Sequence, residues 1–338
     1  MKKEKSEKIM LAHGSGGKLM HQLIDSLFIK ELDNDILREK MDSAVVAIGG
    51  KEIAFTTDSY VVDPIFFPGG DIGSLAVYGT VNDLSVCGAR PLFISLSLII
   101  EEGLDRCALE NVTHSIKTAA RIAGVRIVTG DTKVVERGSC DRLFINTSGI
   151  GEIYYKGLSA GSIRPGDLVL VTGPVGDHAI AILSKREGME FGSSVKSDSA
   201  PLNGLIRKLL KVSSNVRFMR DPTRGGLATT LNEISNGRPF GIVLDEKALP
   251  VREATREACE LLGFDPLYLA CEGRAVLVIS GTDAAGALSV IRRDTLGRGA
   301  AIIGRIVGEH KGKVVLKTAA GGTRIVGMLS GEQLPRIC

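Results

Sequence analysis

Six carboxylates recur at the ends of apolar runs in this chain: Asp42, Asp58, Asp83, Asp131, Asp221 and Glu272. Hard oxygen ligands of this kind suit Mg2+, which usually arrives with substrate phosphates rather than in an all-protein cage, so the set points to an ATP-using enzyme. The segment Gly130-Asp131-Thr132-Lys133 joins a glycine, a carboxylate, a hydroxyl and an ammonium in four residues, the groups expected at a nucleotide-phosphate and Mg2+ site. A surface turn is the alternative. Asp221-Pro222-Thr223-Arg224-Gly225-Gly226 again sets an Asp, an Arg and two glycines before a helical run. Glu272 stands directly before an apolar strand, either as a proton acceptor or as an ordinary partner of Arg274. Asp83 lies in an otherwise apolar helical stretch. An unpaired buried carboxylate is costly there, so it either holds a metal or faces water.

The second reactive feature is the terminal Pro335-Arg336-Ile337-Cys338. The ring of Pro335 fixes φ and biases Leu334 toward extended backbone, so the end of the chain reads as a strand-like arm. Ten extended residues from Met328 onward span roughly 33 Å, enough to deliver an exposed thiol to a distant site. A frayed terminus is the alternative. Cys87, Cys107, Cys140, Cys259 and Cys271 show no C-x-x-C or Cys/His pairing, which indicates neither a zinc knuckle nor a disulfide framework and leaves most of them as buried, inert thiols. Near the start, His13-Gly14-Ser15-Gly16-Gly17-Lys18 feeds a helical pattern at Leu19, Leu23, Ile24 and Leu27. Such a loop can wrap phosphate, although it matches neither common phosphate-loop spacing, and a flexible helix entry is the alternative.

These groups need elements to position them. Strands are expected over residues 44–48, 52–56, 94–100, 125–129 and 143–150, with a helix over 72–88 and a loop over 61–70. Asp105 and Gly124 bound a helix with apolar residues at Leu109, Val112, Ile116, Ala119, Ala120 and Ala123. The Gly/Ser/Pro-rich passage 157–165 is the boundary of a second unit, in which helices are expected over 178–186, 202–212, 227–235, 251–262 and 284–291. Strands over 167–172, 216–219, 241–244 and 275–280 and near Ile302 and Val314 complete an α/β (α+β) chain. The expected organisation is an N-terminal segment 1–40, an ATP-binding domain 41–156, a second domain 157–327 and a tail 328–338.

With 338 residues, 44% hydrophobic, 24% charged and 4% aromatic without Trp, the chain suits two layered domains with aliphatic cores. A net charge of +3 with interleaved signs argues against nucleic-acid binding. No run approaches 18 apolar residues and residues 1–8 lack the apolar core of a signal peptide, so no membrane span and a cytoplasmic location are expected.

At these same residues the chain resembles the hydrogenase maturation HypE family of carbamoyl dehydratases, in the superfamily of aminoimidazole-ribonucleotide synthetase and selenophosphate synthetase. The resemblance rests on His13-Gly14-Ser15-Gly16-Gly17, Thr56-Thr57-Asp58-Ser59-Tyr60, Gly79-Thr80-Val81-Asn82-Asp83-Leu84, Val128-Thr129-Gly130-Asp131-Thr132-Lys133, Asp221-Pro222-Thr223-Arg224-Gly225-Gly226-Leu227 and the terminal Pro-Arg-Ile-Cys. It implies a two-domain PurM-like fold whose N-terminal strands close a barrel across a homodimer. It puts Mg2+ on Asp42, Asp83 and Asp221, and ATP against Asp58, Asn82, Gly130, Asp131 and Thr132. His13, Gly14, Gly16 and Gly17 belong to a phosphate-covering lid. One departure stands out: Cys271 occupies the position where the family pattern carries Asn before the Glu-Gly pair.

The implied reaction converts an S-carboxamide on Cys338, placed there by the carbamoyltransferase HypF, into a thiocyanate destined for the iron-bearing HypC–HypD complex and a [NiFe] hydrogenase. Glu272 is the expected base, and Lys133 and Arg224 are expected to neutralise the transferring phosphoryl. A selenophosphate synthetase-like enzyme or a passive thiol carrier are the other readings. The first would want a reactive Cys in the glycine-rich loop, which has none.

Overall fold

The computed structural model describes residues 8–189, 195–329, 331, 334 and 336–338. The start of the chain through residue 7, and the expected role of Pro335, lie outside the described residues. Helix α1 (Lys18–Leu23) runs on through a π-type turn at Ile24–Ile29, and the short α2 (Asp35–Arg38) follows, capped by the Asn34 side chain on the Leu37 N–H. The chain then builds an N-terminal sheet. Strands β1 (Ala44–Ile48) and β2 (Lys51–Tyr60) form a hairpin, β3 (Phe66–Phe67) and β4 (Gly70–Asp71) form a second, minimal one, and α3 (Ile72–Val86) starts from a reciprocal cap between Asp71 and Ser74. Strand β5 (Ala89–Glu101), helix α4 (Arg106–Ala123), β6 (Arg126–Val135) and β7 (Leu143–Ile153) complete it, in the order β1-β2-β7-β5-β6. Gly124 ends α4 in the left-handed conformation, as the sequence predicts.

The second half contains β8 (Leu168–Val171), α5 (Asp177–Glu187), α6 (Asn203–Val212), β9 (Val216–Arg220), α7 (Gly226–Ser235), β10 (Gly241–Asp245) and α8 (Glu253–Leu262). Strand β11 (Val276–Ile279), α9 (Ala284–Arg293), β12 (Ala301–Val307), β13 (Val314–Lys317) and β14 (Thr323–Val326) follow. The sheet order is β14-β13-β10-β12-β8-β11-β9. Helix α3 sits between the two sheets with twelve of its residues buried, among them Asn82, which explains its lack of a polar face.

Three strand expectations are corrected. Strand β2 does not stop at Thr56 but carries Asp58 within it, β5 begins at Ala89, and β6 continues through Gly130-Asp131-Thr132-Lys133 instead of turning there. In each case main-chain ladders to neighbouring strands hold a polar sequence extended, because one face of this sheet is open and tolerates hydroxyls and charges. The expected loop 61–70 contains β3 and the start of β4, and β14 is an additional strand.

Register decides which side each polar residue occupies. Asp58, Thr147, Leu96 and Gly130 form one cross-strand row, on the side covered by α3, where the Thr147 hydroxyl donates to the Ala76 carbonyl at 3.2 Å. Ser59, Asn146, Ser97 and Asp131 form the next row and therefore lie on the open face. Phe55, Phe93, Ile150 and Ile99 share that open face, and Phe55, Ile150 and Ile99 are exposed.

The core on the covered side reaches across the molecule. It joins Tyr60, Ile72, Ile116 and Ile145 to Ile180 of α5, to Cys259 of α8 and to Ile337, the residue before the terminal cysteine. No described helix is long and apolar enough to cross a membrane.

Candidate functional site

The crevice between the two sheets gathers residues from six places in the chain. Asp58 comes from β2, Asp83 from the later turns of α3, Asp221 from the end of β9, Arg224 from the loop before α7, Glu272 from the approach to β11, and Asp42 from the approach to β1. The Thr56 hydroxyl oxygen lies 2.7 Å from Asp83 Oδ2 and 2.9 Å from the Asp42 carbonyl oxygen, linking the two residues through its one proton. Asp83 is partly exposed rather than fully solvated. Tyr60 donates to Asp58 Oδ2 at 3.2 Å.

These carboxylates destabilise one another's charge. Burial pushes Asp83 well above the usual range, and Asp58, Asp221 and Asp42 push it further. Asp221 is raised by burial, then by Asp42 and Asp58. Glu272 is raised by burial and by Asp221, Asp198 and Asp58, with Arg224 opposing. Asp42 is pushed up to about 6 by burial, although Arg220 opposes the shift. Asp42 Oδ2 and Glu272 Oε1 are buried without a hydrogen-bond partner. A divalent cation fits such a set, because it would hold these groups ionised and occupy the unpartnered oxygens. No three His, Cys, Asp or Glu side chains among the described residues converge closely enough to ligate one ion by themselves. Phosphate oxygens and water would complete the shell, as is usual for Mg2+.

Glu272 is not paired with Arg274. Arg274 goes instead to Asp198 at 3.4 Å and to the Pro174 carbonyl at 2.9 Å, while the Glu272 N–H donates to Asp198 Oδ1 at 3.0 Å. This leaves the Glu272 carboxyl to the crevice. Cys271, at the position where the family pattern carries Asn, accepts the Gly176 N–H on its sulfur at 3.3 Å and is buried.

The tail enters this crevice. The sequence predicts an exposed thiol at Cys338, but the described tail residues seat it: Ile337 is buried in the shared core and the Cys338 side chain packs against it. Burial pushes the Cys338 thiol up to about 12; Arg224 opposes this, and Glu272, Asp58 and Asp221 reinforce it. Main-chain pairing accounts for the seating. Val61 N–H donates to the Cys338 carbonyl at 3.0 Å and Asp63 N–H to the Arg336 carbonyl at 3.2 Å, so the last residues continue alongside the end of β2. All six cysteines are free thiols.

The glycine-rich segment closes over the tail. Arg224 donates to the Gly14 carbonyl at 3.0 Å, and Gly14, Ser15, Arg224, Leu334 and Cys338 line a cavity of about 190 Å3. Gly16 and Gly17 make this contact sterically, since a Cβ at Gly16 would stand 2.6 Å from the Arg224 carbonyl oxygen and one at Gly17 would stand 2.5 Å from that of Leu329. His13 turns inward on its own loop, accepting the Met10 N–H at Nδ1 at 3.0 Å.

The remaining residues singled out from sequence are placed elsewhere. Asn82 spends its amide on backbone, donating to the Ala200 and Glu272 carbonyls at 3.1 Å and accepting the Leu202 N–H at 2.8 Å. Asp131 and Lys133 are exposed and pair with each other at 3.0 Å on the open sheet face, where Lys133 holds the Asp131 carboxyl below the usual range. Thr132 is exposed on the same edge strand. Gly130 is required for close strand packing, since a Cβ there would lie 2.2 Å from the Leu96 carbonyl oxygen. Within one chain this strand is not brought together with the aspartates.

Several residues escaped the sequence analysis. Arg220 binds Asp42 at 2.8 Å and Glu233 at 2.6 Å, and His21 of α1 binds Glu233 at 2.7 Å, so the metal-binding candidate Asp42 is anchored from its far oxygen. The only signal was that Arg220 adjoins Asp221. His178 and Arg186 of α5 hold the tail, and nothing in their local sequence marks them.

The fold and the site together define a class, a two-domain α/β protein with a carboxylate-lined crevice between its sheets. The sequence profiles of the AIR synthase related protein N-terminal and C-terminal domains match residues 40–153 and 164–317. Carbamoyl dehydratase HypE from Cupriavidus necator is 50% identical over 99% of this chain and 96% of its own length. A solved structure of hydrogenase maturation protein HypE in complex with ATP is 50% identical, with a TM-score of 0.82 over 98% of this chain and 100% of that one. A chain of a HypE–HypF complex is 47% identical, with a TM-score of 0.86 over 91% of this chain and 99% of that one. The chain belongs to the HypE family of carbamoyl dehydratases, within the PurM-like AIR synthase-related superfamily.

Proposed function

We propose that this chain uses ATP to dehydrate a carboxamide carried on the sulfur of Cys338, producing a thiocyanate that supplies cyanide for the iron of a [NiFe] hydrogenase. The observation that carries the reading is the seating of Cys338 beside Arg224, Glu272, Asp58 and Asp221, since a carrier thiol alone has no need of a carboxylate crevice. The carboxamide oxygen is a poor leaving group. Transfer of the γ-phosphoryl to that oxygen, with loss of one N–H proton, makes an imidate ester. Loss of the second N–H proton then expels the oxygen as phosphate and forms the C≡N bond.

Glu272 is suited to accept these protons, because its buried Oε1 has no hydrogen-bond partner and Arg224 favours its ionised form against the burial that opposes it. Arg224 supplies fixed positive charge beside the reacting sulfur. Asp42, Asp83 and Asp221 would hold Mg2+, which when bound neutralises charge on the phosphates. The lid from His13 to Gly17 would exclude water, the competing acceptor of the phosphoryl group.

Asp58 would contact the nucleotide within the crevice. Gly130, Asp131, Thr132 and Lys133 would serve the nucleotide of a second copy, with the exposed Phe55, Ile99 and Ile150 of the open sheet face covered in a homodimer whose strands close a barrel. Asn82 acts here by bracing the Glu272 backbone. Residues 41–156 and 157–327 form the two domains and 328–338 the tail that carries the group. The HypE relative solved in complex with HypF supports a HypF protein as the donor, and a HypC–HypD complex would be the acceptor. The cytoplasm, where ATP and reduced thiols coexist, is the fitting location.

The test is mass spectrometry of the C-terminal peptide after incubation with the carbamoyltransferase, carbamoyl phosphate and ATP. The expected result is a carboxamide on Cys338 that then loses the mass of water. Modification at Cys87 or Cys271 instead, or a stable carboxamide in the presence of ATP, contradicts the reading.

A further inference from the structure

The last residues lie between two supports, and their carbonyls alternate between them. The Arg336 and Cys338 carbonyls accept from Asp63 and Val61, while the Ile337 carbonyl points the other way and accepts from His178 Nε2 at 2.8 Å. A carbonyl can only accept, so this nitrogen carries the proton. The second ring nitrogen, Nδ1, lies 2.8 Å from the Ser197 hydroxyl. Ser199 N–H already donates to that hydroxyl oxygen at 3.0 Å, which leaves the hydroxyl proton for His178 Nδ1. Ser197 is itself pinned, its N–H donating to the Pro68 carbonyl at 2.8 Å.

His178 has no exposed surface, and Phe67 meets its ring edge-on with centroids 5.6 Å apart. Burial favours the neutral ring. A buried polar side chain with both nitrogens matched, one of them to the tail, is more than packing requires. It is the kind of group that fixes a reacting atom through its neighbour.

We propose that His178 is the positioning residue of the dehydration: its neutral ring, protonated on Nε2 and held in that tautomer by Ser197, seats the Ile337 carbonyl and thereby sets the Cys338 sulfur before Arg224 and Glu272. This rests on the reading that the tail reacts while inserted. Without the His178 donor the Ile337 carbonyl is left buried and unpaired, which weakens the seating of the tail. Cys338 then spends less time in place, while the nucleotide site is untouched.

The experiment compares His178→Leu and His178→Gln in the full-length protein. Leu fills the space without a donor, and the Gln side-chain N–H can stand where Nε2–H does. Two quantities are measured: ATP turnover by the carboxamide-loaded protein, and alkylation of Cys338 with and without a non-hydrolysable ATP analogue, read by mass spectrometry of the C-terminal peptide. In His178→Leu, kcat is expected to fall roughly tenfold with the KM for ATP within about twofold, and alkylation in the presence of the analogue to rise roughly three- to tenfold, the effect of one neutral hydrogen bond and its orphaned acceptor. His178→Gln is expected to recover most of both. Wild-type kcat and protection in His178→Leu overturn the proposal. So does equal loss in both variants with a lowered Tm, since that is a structural role. If wild-type protein itself shows no protection by the analogue, the inserted-tail reading fails first and the proposal with it.

Discussion

Asp58 and Asp131 stand on opposite faces of the same sheet, in neighbouring cross-strand rows. Asp58 faces α3 and the carboxylate crevice; Asp131, paired with Lys133, faces outward on the same sheet face as exposed Phe55 and Ile150. Residues that look like one nucleotide site in the sequence are thus separated by the sheet within one chain, and the proposed homodimer assigns Asp131 and Lys133 to the nucleotide of the second copy.

Mixed dimers test this directly. Lys133→Ala and Asp83→Asn are each expected to be nearly inactive as homodimers. Mixed in equal amounts under conditions that exchange subunits, they should regain about a quarter of wild-type turnover, because half the dimers are mixed and each of those has one intact site if Lys133 acts across the interface. No recovery on mixing means that Lys133 serves its own chain.

Asp83→Asn also separates metal binding from stability. Asn keeps the shape and can still accept from the Thr56 hydroxyl, so the fold survives. ATP turnover is expected to fall about 100-fold or more and to recover poorly with added Mg2+. Folding raises the proton affinity of Asp83, so its share of stability is present below the unfolded value near 3.8 and is lost as pH rises through the higher folded value. Metal-free Asp83→Asn should therefore gain Tm relative to wild type as pH rises from about 4 to about 8, by roughly 2–4 °C for each kcal/mol of repulsion removed. A Tm difference that does not change with pH contradicts a repelled, desolvated carboxyl at Asp83.

Glu272→Gln tests the proton acceptor. Gln is neutral, so it relieves repulsion from Asp221 and Asp198 and should not destabilise the fold. ATP should still bind, and the Cys338 carboxamide should persist, with thiocyanate formation slowed roughly 100- to 10,000-fold, the usual span for a lost general base. Intact-mass kinetics read this outcome. Dehydration at the wild-type rate assigns the base elsewhere.

The seated thiol should be sluggish. With its proton affinity raised to about 12, Cys338 carries far less thiolate at about pH 8 than an ordinary cysteine. Alkylation of Cys338 at that pH should run roughly tenfold or more slower than that of the exposed Cys107, and Arg186→Ala, which removes a donor to the Arg336 carbonyl, should narrow the gap. Peptide mass spectrometry over a time course measures both rates, and equal rates in the unaltered protein mean that the tail is not held.

Much of the fold is legible from local pattern. The 3.6-residue spacing from Leu109 to Ala123 with Gly124 after it gives α4 and its end, and the apolar run in residues 44–48 gives β1, because helix periods, caps and turns involve residues a few positions apart. The motifs likewise located Asp83, Asp221, Glu272 and Cys338. What the local pattern could not carry is register: nothing near Asp58 or Asp131 tells which face each will occupy, since that depends on pairing with β5 and β7. It also could not show that Arg220 claims Asp42 or that His178 holds Ile337, contacts between residues 178 and 159 positions apart. The chain's own sequence therefore determined which chemical groups are available and which short elements carry them. Only the tertiary structure decided which groups meet, because burial and long-range pairing are properties of the folded whole and leave no mark at the positions they join.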